Sequence, residues 1–436
     1  MRTLLFSILL VTSFVGKTQE DTIRIMQYNL LNYGNYTSYC TTTNNNIDAK
    51  DEYLRTILNY VKPDVFAVNE LGYEAQGLDN KYGLRILDST LNINGVTKYQ
   101  KAQHTGGSYT VNMLYYNSEK LVFHKQEVIS NGVHSGSLVR SIDFYTLYHN
   151  DPTLATHNDT VFMTFVVAHL KAGSTQSNQD ERADAALDVM EYLDLNDGQR
   201  ANRFMCGDFN VKGDTELGYS NFLTYSNTNV RFEDPLDEPG YWAGDWNFKH
   251  LHTQSTHDVS NNGDCPSGGG LDDRFDIVLA SQHILWGVDG VSYIVNSYDA
   301  VGNDGTSYNS DLNTSTNTSV PPSVAIALFN MSDHLPVVLD VRVSKDVVNG
   351  IYQPAIENLN VEFNNPIQSQ LVVRIPNDVR IEYIELYDIN GRLVYTAANS
   401  EVTQFVIETE SLNTGLYFLK IQSLEGKQGN YRVVKL

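Results

Sequence analysis

Polar side chains border six apolar, strand-like segments within the first 345 residues, and this pattern limits the folds that fit the chain. The segments are TIRIMQYNLLNY, PDVFAVNE, DTVFMTFVVAHL, NRFMCGDFNV, DRFDIVLAS and SDHLPVVLDVRV. Predicted helices, such as DAKDEYLRTILNYVKPD, lie between them without strict alternation, and long loops are predicted at 219–270 and 302–322. This mixture favours a layered α/β sandwich over a simple doubly wound sheet.

The length of the chain predicts two folded domains, because 436 residues exceed the size at which one hydrophobic core stops growing. We predict a signal peptide at 1–19 and a four-layer α/β sandwich at 20–345, in which two mixed β-sheets are flanked by helices. A linker at 346–358 follows. The segment 359–436 consists of short alternating strands and predicts a small all-β sandwich.

The first residues indicate export. Arg2 precedes an apolar run from Leu4 to Val15 that is too short for a membrane span and is typical of a secretory signal. No other apolar stretch is long enough to span a bilayer. We therefore expect a secreted or cell-surface protein, without stable membrane insertion and monomeric.

Three cysteines remain in the chain. Cys206 lies in a predicted buried strand. Cys40 and Cys265 lie in polar loops, and export permits a disulfide between them. Sequence does not give the distance between two loops, so a disulfide and two free thiols both stay open.

The formal net charge of −22 provides no long-range attraction for nucleic acid. A nucleic-acid substrate would therefore need local cationic sites, bound metal above all.

The side chains that border the apolar segments are carboxylates, amides and imidazoles. They are Asn29, Glu70, His169, Asp208, Asn210, Asp276, Asp333 and His334. One polar residue at a strand end is ordinary, but a set drawn from both halves of a domain is not explained by capping. Phosphoester hydrolysis needs such groups, because oxygen ligands hold a hard divalent cation and histidines move protons or contact phosphoryl oxygens.

The motifs QYNLLNY, PDVFAVNE, VVAHLKAG, CGDFNV, DRFDIVLAS and SDHLPV resemble, in this order, the signature strands of the endonuclease/exonuclease/phosphatase superfamily. That family includes deoxyribonuclease-I-like nucleases, sphingomyelinases and inositol polyphosphate phosphatases. The likeness runs from about Thr22 to Val343. GDFN and SDHLPV, with NE before them, make the resemblance specific.

The resemblance implies a divalent-metal site. Glu70 is expected to be the principal metal carboxylate, with Asn29 beside it and Asp333 as a further ligand or support. Mg²⁺ is the leading ion, and Mn²⁺ and Ca²⁺ also accept such an oxygen-rich ligand set.

The resemblance also implies catalytic roles. Asp208 and Asn210 would orient the attacking water and hold a phosphate oxygen. His334 would act as general base or as an imidazolium that contacts phosphate, and Asp276 would fix its ring and tautomer. His169 would contact phosphate or donate a proton.

Several residues keep a plainer alternative. Asp276 could pair with Arg274 as a strand-end acid, and Asn29 could be a turn residue. Arg140 is a candidate substrate-binding residue, with a surface arginine as the alternative. The aromatic segment 240–252 could stack on a base or sugar, or be a packed loop.

The C-terminal segment resembles the sorting domain of the bacterial type IX secretion system. NPIQSQLVVRIP, IELYDINGRLV, LNTGLYFLKI and the terminal VVKL carry this likeness. It implies the type IX secretion machinery as a partner. The alternative is a carbohydrate-binding or adhesive sandwich, which the absence of tryptophan from this segment weakens.

These features predict a secreted, metal-dependent phosphodiesterase, with a nuclease acting on extracellular DNA or RNA as the leading hypothesis. A phosphatase or a sphingomyelinase-like phospholipase on the same fold is the second hypothesis. A non-catalytic surface-binding protein is the third, and it requires the loss of an essential group, none of which is missing.

Overall fold

A computed structural model describes residues 20–107, 109–152, 154, 160–196, 201–259, 265–344, 361–375, 380–389, 392–400, 404–424 and 428–436. They form two compact units, one within residues 1–346 and one within 347–436. The predicted signal peptide at 1–19 and the predicted linker at 346–358 lie outside the described residues. Within the described ranges, no helix combines the length and apolar character needed to cross a bilayer.

The N-terminal unit is built from strands and helices that follow one another without strict alternation. Its strands are β1 (Glu20–Tyr33), β2 (Val65–Gly72), β3 (Ala75–Gln76), β4 (Asp79–Asn80), β5 (Tyr99–Lys101), β6 (Thr110–Asn117), β7 (Leu121–Gly132), β8 (Gly136–His149), β9 (Phe162–His169), β10 (Arg203–Asp208), β11 (Phe232–Glu233), β12 (Asp276–Ser281), β13 (Val291–Tyr293), β14 (Asp299–Ala300) and β15 (Val337–Ser344). Its α-helices are α1 (Ile47–Val61), α2 (Lys81–Ile86), α3 (Gln176–Asn196), α4 (Leu217–Thr224), α5 (Gln282–Trp286) and α6 (Pro322–Met331).

Two mixed sheets form the middle of this unit. The first has the order β13–β15–β1–β2–β6–β5, with β14 beside β15, and the second has the order β11–β12–β10–β9–β8–β7. The pairs β1–β2 and β9–β10 are parallel, whereas their outer neighbours are antiparallel. Parallel neighbours end at the same edge of a sheet, so each sheet brings two strand ends together at one edge.

The alternation of side chains along β1 shows how the layers pack. Ile23 and Ile25 join a core that holds residues of both sheets, whereas Met26 and Tyr28 join a core shared with α1 and α6. A third core joins the second sheet to α3 and α4. The predicted four-layer α/β sandwich is confirmed.

The first helix follows its sequence signals. The side chain of Asn46 accepts a hydrogen bond from the Ala49 amide at 3.0 Å, which caps the amino end of α1. The helix ends at Val61, where Lys62 adopts a left-handed conformation and Pro63 cannot continue the helix. The α1 residues at helical spacing face the core.

The C-terminal unit is a small all-β sandwich, as predicted. Its strands are β16 (Glu362–Phe363), β17 (Gln370–Arg374), β18 (Ile381–Asp388), β19 (Leu393–Ser400), β20 (Gln404–Glu408), β21 (Gly415–Ser423) and β22 (Gln428–Lys435). They form a three-stranded sheet, β16–β17–β20, and a four-stranded sheet, β19–β18–β21–β22. One apolar core contains residues of both sheets.

A disulfide joins Cys40 and Cys265, which are 225 residues apart in sequence. Of the two alternatives that the sequence leaves open, the structure contains the bonded one. The bond links the loop after β1 to the loop before β12, and Cys206 stays a buried free thiol.

Candidate active site

Three of the predicted site residues lie side by side at one edge of the second sheet. Asp208, the last residue of β10, is in register with His169 on β9 and with Asp276 on β12. All three side chains are buried. The parallel pairing of β9 and β10 and the antiparallel pairing of β12 explain why residues far apart in sequence meet here.

The facing edge of the first sheet supplies the other predicted residues. Asn29 in β1 is in register with Asn69, the residue before Glu70 in β2, and Asp333 and His334 precede β15. The amide nitrogen of Asn29 donates to Oδ2 of Asp208 at 3.0 Å and thereby joins the two edges. The two sheets therefore bring all eight predicted catalytic and metal residues into one cluster.

His334 and Asp276 form a close pair. Nδ1 of the imidazole lies 2.6 Å from Oδ2 of the carboxylate. Arg274, the alternative partner considered for Asp276, is instead paired with Asp234. Burial opposes the imidazolium, but the carboxylates of Asp276 and Asp208 outweigh it and raise the pKa of His334 well above its usual range.

Asp208 lies at the centre of the cluster. Its Oδ1 accepts hydrogen bonds from the backbone amide and side-chain amide of Asn210, at 3.1 and 2.7 Å. Asn210 has a positive φ of 54°, a conformation that asparagine tolerates better than most residues. Burial raises the pKa of Asp208 to about 7, although His334 works against the shift. Such a carboxylate can accept a proton near neutral pH.

His169 stands between two carboxylates. Its Nε2 lies 3.4 Å from Oδ2 of Asp208, and its Nδ1 lies 3.8 Å from Oε1 of Glu70. Burial, together with the charges of Arg140 and His334, lowers the pKa of His169 well below its usual range. A neutral imidazole has one N–H, so it can donate to only one of the two carboxylates.

Arg140, the predicted substrate-binding residue, is half-buried near this cluster. One of its guanidinium nitrogens donates to the carbonyl of Leu170 at 3.3 Å, next to His169. Its charge also acts on the His169 imidazole. The structure therefore places Arg140 at the border of the site.

Glu70 is held in a strained conformation. Its φ is 56°, in the left-handed region that side chains with a Cβ rarely adopt. The backbone amide of Asn32 donates to its Oε2 at 2.8 Å, while Oε1 faces the amide nitrogen of Asn29 at 3.4 Å. Because Oδ1 of Asn29 accepts from the Leu31 amide, the Asn29 oxygen would serve a metal only after the amide turns.

The cluster has the chemical character of a cation site. Oδ1 of Asp333 and Nδ1 of His169 are buried without a hydrogen-bond partner among the described residues. Oδ2 of Asp333 accepts from the Ser267 amide at 2.8 Å, which fixes the carboxylate. The carboxylates of Asp333, Glu70 and Asp208 supply oxygen ligands of the kind that a hard divalent ion prefers.

Two neighbours of the cluster were missed from sequence. Nε2 of Gln254 lies 2.8 Å from Nε2 of His334, so the carboxamide must turn its oxygen to the ring when the imidazole is protonated. The buried ammonium of Lys50 donates to the carbonyls of Leu30 and Leu31, and burial lowers its pKa to about 7 although Asp333 and Glu70 oppose this. Lys50 precedes Leu54 by four residues on the buried face of α1, and this spacing could have identified Lys50 from the sequence. Gln254 lies in a loop, where the sequence has no comparable pattern.

A second acid–histidine group has a structural explanation. His134, Asp188 and Glu191 place ligand-type atoms close together on the second sheet and α3. However, the Asp188 carboxylate accepts from the backbone amides of His134 and Ser135, at 2.9 and 3.0 Å. It therefore fastens the β7–β8 turn to α3.

A buried chain of polar side chains runs from the site into the space between the sheets. Oδ1 of Asn69 accepts from the Asp208 amide at 3.1 Å, and its Nδ2 donates to Asn112 at 2.8 Å. Asn112 in turn donates to Oδ2 of Asp143 at 3.0 Å. The site is thereby connected to a fully buried carboxylate.

Replacing Asp143 with asparagine should remove a pH-dependent part of the stability. Burial raises the pKa of Asp143 to about 6, against the hydrogen bonds that it accepts. The protonated acid therefore stabilises the fold below about pH 4, and this stabilisation is lost as the pH rises through about 6. Urea unfolding at a series of pH values measures this effect. As the pH rises from about 4 to about 6, the free energy of unfolding of the wild type should fall by about 3 kcal/mol relative to that of Asp143→Asn.

The asparagine can be accommodated because Oε1 of Gln126, a neighbour of Asp143, has no partner among the described residues and can turn to accept from it. Parallel curves of unfolding free energy against pH for the two proteins would show that Asp143 titrates normally.

The comparisons with known proteins agree with the two-unit organisation. Residues 349–435 match the model of the secretion system C-terminal sorting domain, which confirms the resemblance of the C-terminal segment to sorting domains. No curated protein sequence matches the chain.

Solved structures similar to the chain include members of the endonuclease/exonuclease/phosphatase family. The human Nocturnin catalytic domain with bound sulfate is 15% identical, with 75% of this chain and 98% of that chain covered and a TM-score of 0.43. A family protein from Bacteroides thetaiotaomicron is 14% identical, with 77% and 100% covered and a TM-score of 0.45. One from Leptotrichia buccalis is 13% identical, with 74% and 100% covered and a TM-score of 0.42.

Proposed function

We propose that the N-terminal unit is a metal-dependent phosphodiesterase, and that its substrate is extracellular DNA or RNA. The observation that carries the proposal is the convergence of groups on Nε2 of His334. This atom lies 3.4 Å from Nδ2 of Asn29, 3.7 Å from Oδ2 of Asp208 and 3.9 Å from Oδ1 of Asp333. Such a cluster of proton-transfer groups and oxygen ligands suits phosphoester cleavage.

The proposed roles follow from the protonation states of the site residues. Asp208, with its raised pKa, accepts a proton from the attacking water, and Asn210 orients the carboxylate. His334 is an imidazolium that donates to a phosphoryl oxygen, since Asp276 holds its ring and stabilises its charge. Neutral His169 contributes a hydrogen bond to phosphate, and Arg140 at the border adds positive charge.

A divalent cation would be held by Glu70 and Asp333, with Asn29 once its amide presents oxygen. When bound, such an ion supplies positive charge to a phosphoryl oxygen and favours ionisation of water. Mg²⁺ suits this donor set, and Mn²⁺ and Ca²⁺ are also compatible with it.

The C-terminal unit would direct the enzyme through the type IX secretion machinery to the cell surface or the medium. Its match to a sorting domain supports this destination. We propose that the exported enzyme works as a monomer.

Purified protein should hydrolyse nucleic acid only when a divalent ion is present. Plasmid DNA, RNA, sphingomyelin and inositol phosphates are incubated with Mg²⁺, Mn²⁺ or Ca²⁺, or with EDTA. The carboxylates of the cluster repel an anionic phosphate unless a cation balances their charge. Chelation should therefore abolish cleavage, and added metal should restore it.

Undiminished cleavage in EDTA would show that the reaction does not depend on a metal ion. Sphingomyelin or inositol phosphate turnover that outpaces nucleic-acid cleavage would replace the nuclease with the corresponding lipid or phosphatase activity. If the protein hydrolyses none of these substrates when metal is supplied, the hypothesis of a non-catalytic binding protein is supported instead.

A further inference from the structure

The loop before β12 displays two aromatic side chains beside the site, Tyr241 and Trp246, which we call the rim aromatics. Their exposed fractions are 61% and 59%, whereas Trp242 between them is fully buried. The sequence left open whether this aromatic segment packs or stacks on a ligand. The structure divides it: Trp242 and Phe248 pack against a core, whereas Tyr241 and Trp246 remain accessible.

The buried tryptophan anchors this loop. Its indole N–H donates to the carbonyl of Glu238 at 2.9 Å, and the Arg274 guanidinium lies 4.7 Å from the ring centroid. Arg274 is itself held by Asp234 in a buried ion pair. The rim aromatics therefore stand on a fixed loop, which reduces the entropy lost when a ligand stacks on them.

The loop is joined directly to the segments that carry the site. The amides of Trp242 and Ala243 donate to the carbonyl of Lys212, two residues after Asn210, at 2.9 and 3.1 Å. Tyr241 forms a β-bridge with Gly213. Tyr241 thus pairs with a residue that follows Asn210 by three positions, and the Asn210 side chain holds Asp208.

A second connection leads to His334. The Gly244 amide donates to the carbonyl of Asp272 at 2.8 Å, and the Asp272 amide donates to the carbonyl of Gln254 at 2.9 Å. Gln254 contacts the His334 imidazole. The rim therefore borders the site on the side of both proposed proton-transfer groups.

A lysine ammonium accompanies the rim on a chain whose net charge is −22. The Lys249 ammonium lies 4.2 Å from the centroid of the Trp246 ring, whereas the Lys212 ammonium lies 3.9 Å from Oδ1 of Asp273 and is already paired. Duplex DNA is bound chiefly through many phosphate contacts along its backbone. The net negative charge of the chain disfavours such contacts. Stacking on an aromatic ring contributes about 1–3 kcal/mol per base and needs an unpaired base.

We propose that Tyr241 and Trp246 form a nucleoside-binding subsite, with Lys249 as a phosphate partner, and that the enzyme therefore cleaves single-stranded nucleic acid in preference to duplex. This inference rests on the proposed phosphodiesterase function and specifies its substrate. In this proposal, the phosphodiester next to the stacked base is the one that Asp208 and His334 cleave.

The test compares a single-stranded oligonucleotide, the same sequence as a duplex, and methyl p-nitrophenyl phosphate, a small diester without a base. Wild-type protein should cleave the single strand faster than the duplex. In Trp246→Ala and Tyr241→Ala, the ratio of kcat/KM for the single strand to that for the small diester should fall about 5- to 150-fold, mainly through KM.

Tyr60→Ala is the matched control, because Tyr60 is an aromatic on α1 with a 42% exposed side chain and lies outside the rim. Its ratio should equal that of the wild type. Equal cleavage of single strand and duplex, or ratios unchanged in both rim variants, would overturn the subsite. Wild-type protein inert toward all three substrates would instead overturn the proposed phosphodiesterase function.

Discussion

Replacing His334 with asparagine is expected to lower kcat for phosphodiester hydrolysis by roughly 10²- to 10⁴-fold, the range for loss of a proton-transfer group. The asparagine amide can still donate to Asp276, so the buried carboxylate keeps a partner. It cannot carry the positive charge that His334 places among Asn29, Asp208 and the substrate phosphate. Initial rates on an oligonucleotide and the urea unfolding free energy, measured on the same preparations, separate loss of chemistry from loss of fold.

Asp276→Asn should produce a loss of similar size through a different route. The carboxylate 2.6 Å from Nδ1 both orients the imidazole and stabilises its charge. Without it, the pKa of His334 should fall, and the alkaline limb of the activity profile, where the imidazolium loses its proton, should move to lower pH than in the wild type. A variant that loses rate without any change in the pH profile would contradict this role for Asp276.

His149 offers a matched control. It is a buried histidine whose Nε2 lies 3.1 Å from Oδ2 of Asp21, at the opposite end of β1 from Asn29. His149→Asn removes an acid–histidine pair of the same kind and should leave kcat unchanged. Wild-type kcat in His334→Asn would remove His334 from the mechanism altogether.

The layered fold and most of the candidate site could be predicted because both depend on local patterns. Alternating apolar residues in β1 determine which face meets each core, and helical spacing in α1 determines its buried side. A strand that enters a core must end at its edge, so Glu70, His169 and Asp208 were expected at sheet edges. Their arrival at one common site depends on strand order, which the resemblance supplied and periodicity does not.

The parts that escaped prediction depend on loops and short elements. The segment 219–270 was expected to be a loop, yet it includes most of α4 and the short strand β11. Helix α6 was also missed, because its ten residues are apolar on most sides and lack a periodic polar face. Gln254 reaches His334 only through the path of this long loop, and side-chain spacing contains no information about that path.

Removal of one member of the buried ion pair between Arg274 and Asp234 should be among the most destabilising single changes near the site. The guanidinium donates to both carboxylate oxygens, at 2.8 and 3.1 Å, and the Tyr219 hydroxyl donates to the same carboxylate at 2.9 Å. Asp234→Ala leaves a buried arginine without its counter-charge. We expect the urea unfolding free energy to fall by about 3–5 kcal/mol.

The more accessible pair of Arg24 and Asp340, whose side chains are 42% and 16% exposed, provides the comparison, because it has the same two-bond geometry with 2.8 Å at each contact. Asp340→Ala should cost about 1 kcal/mol or less, since water screens the charges and solvates the arginine that remains. The double variant Asp234→Leu with Arg274→Met should be more stable than Asp234→Ala, because no charge is left buried alone. Equal losses for Asp234→Ala and Asp340→Ala would mean that burial of the pair adds nothing to the cost of breaking it.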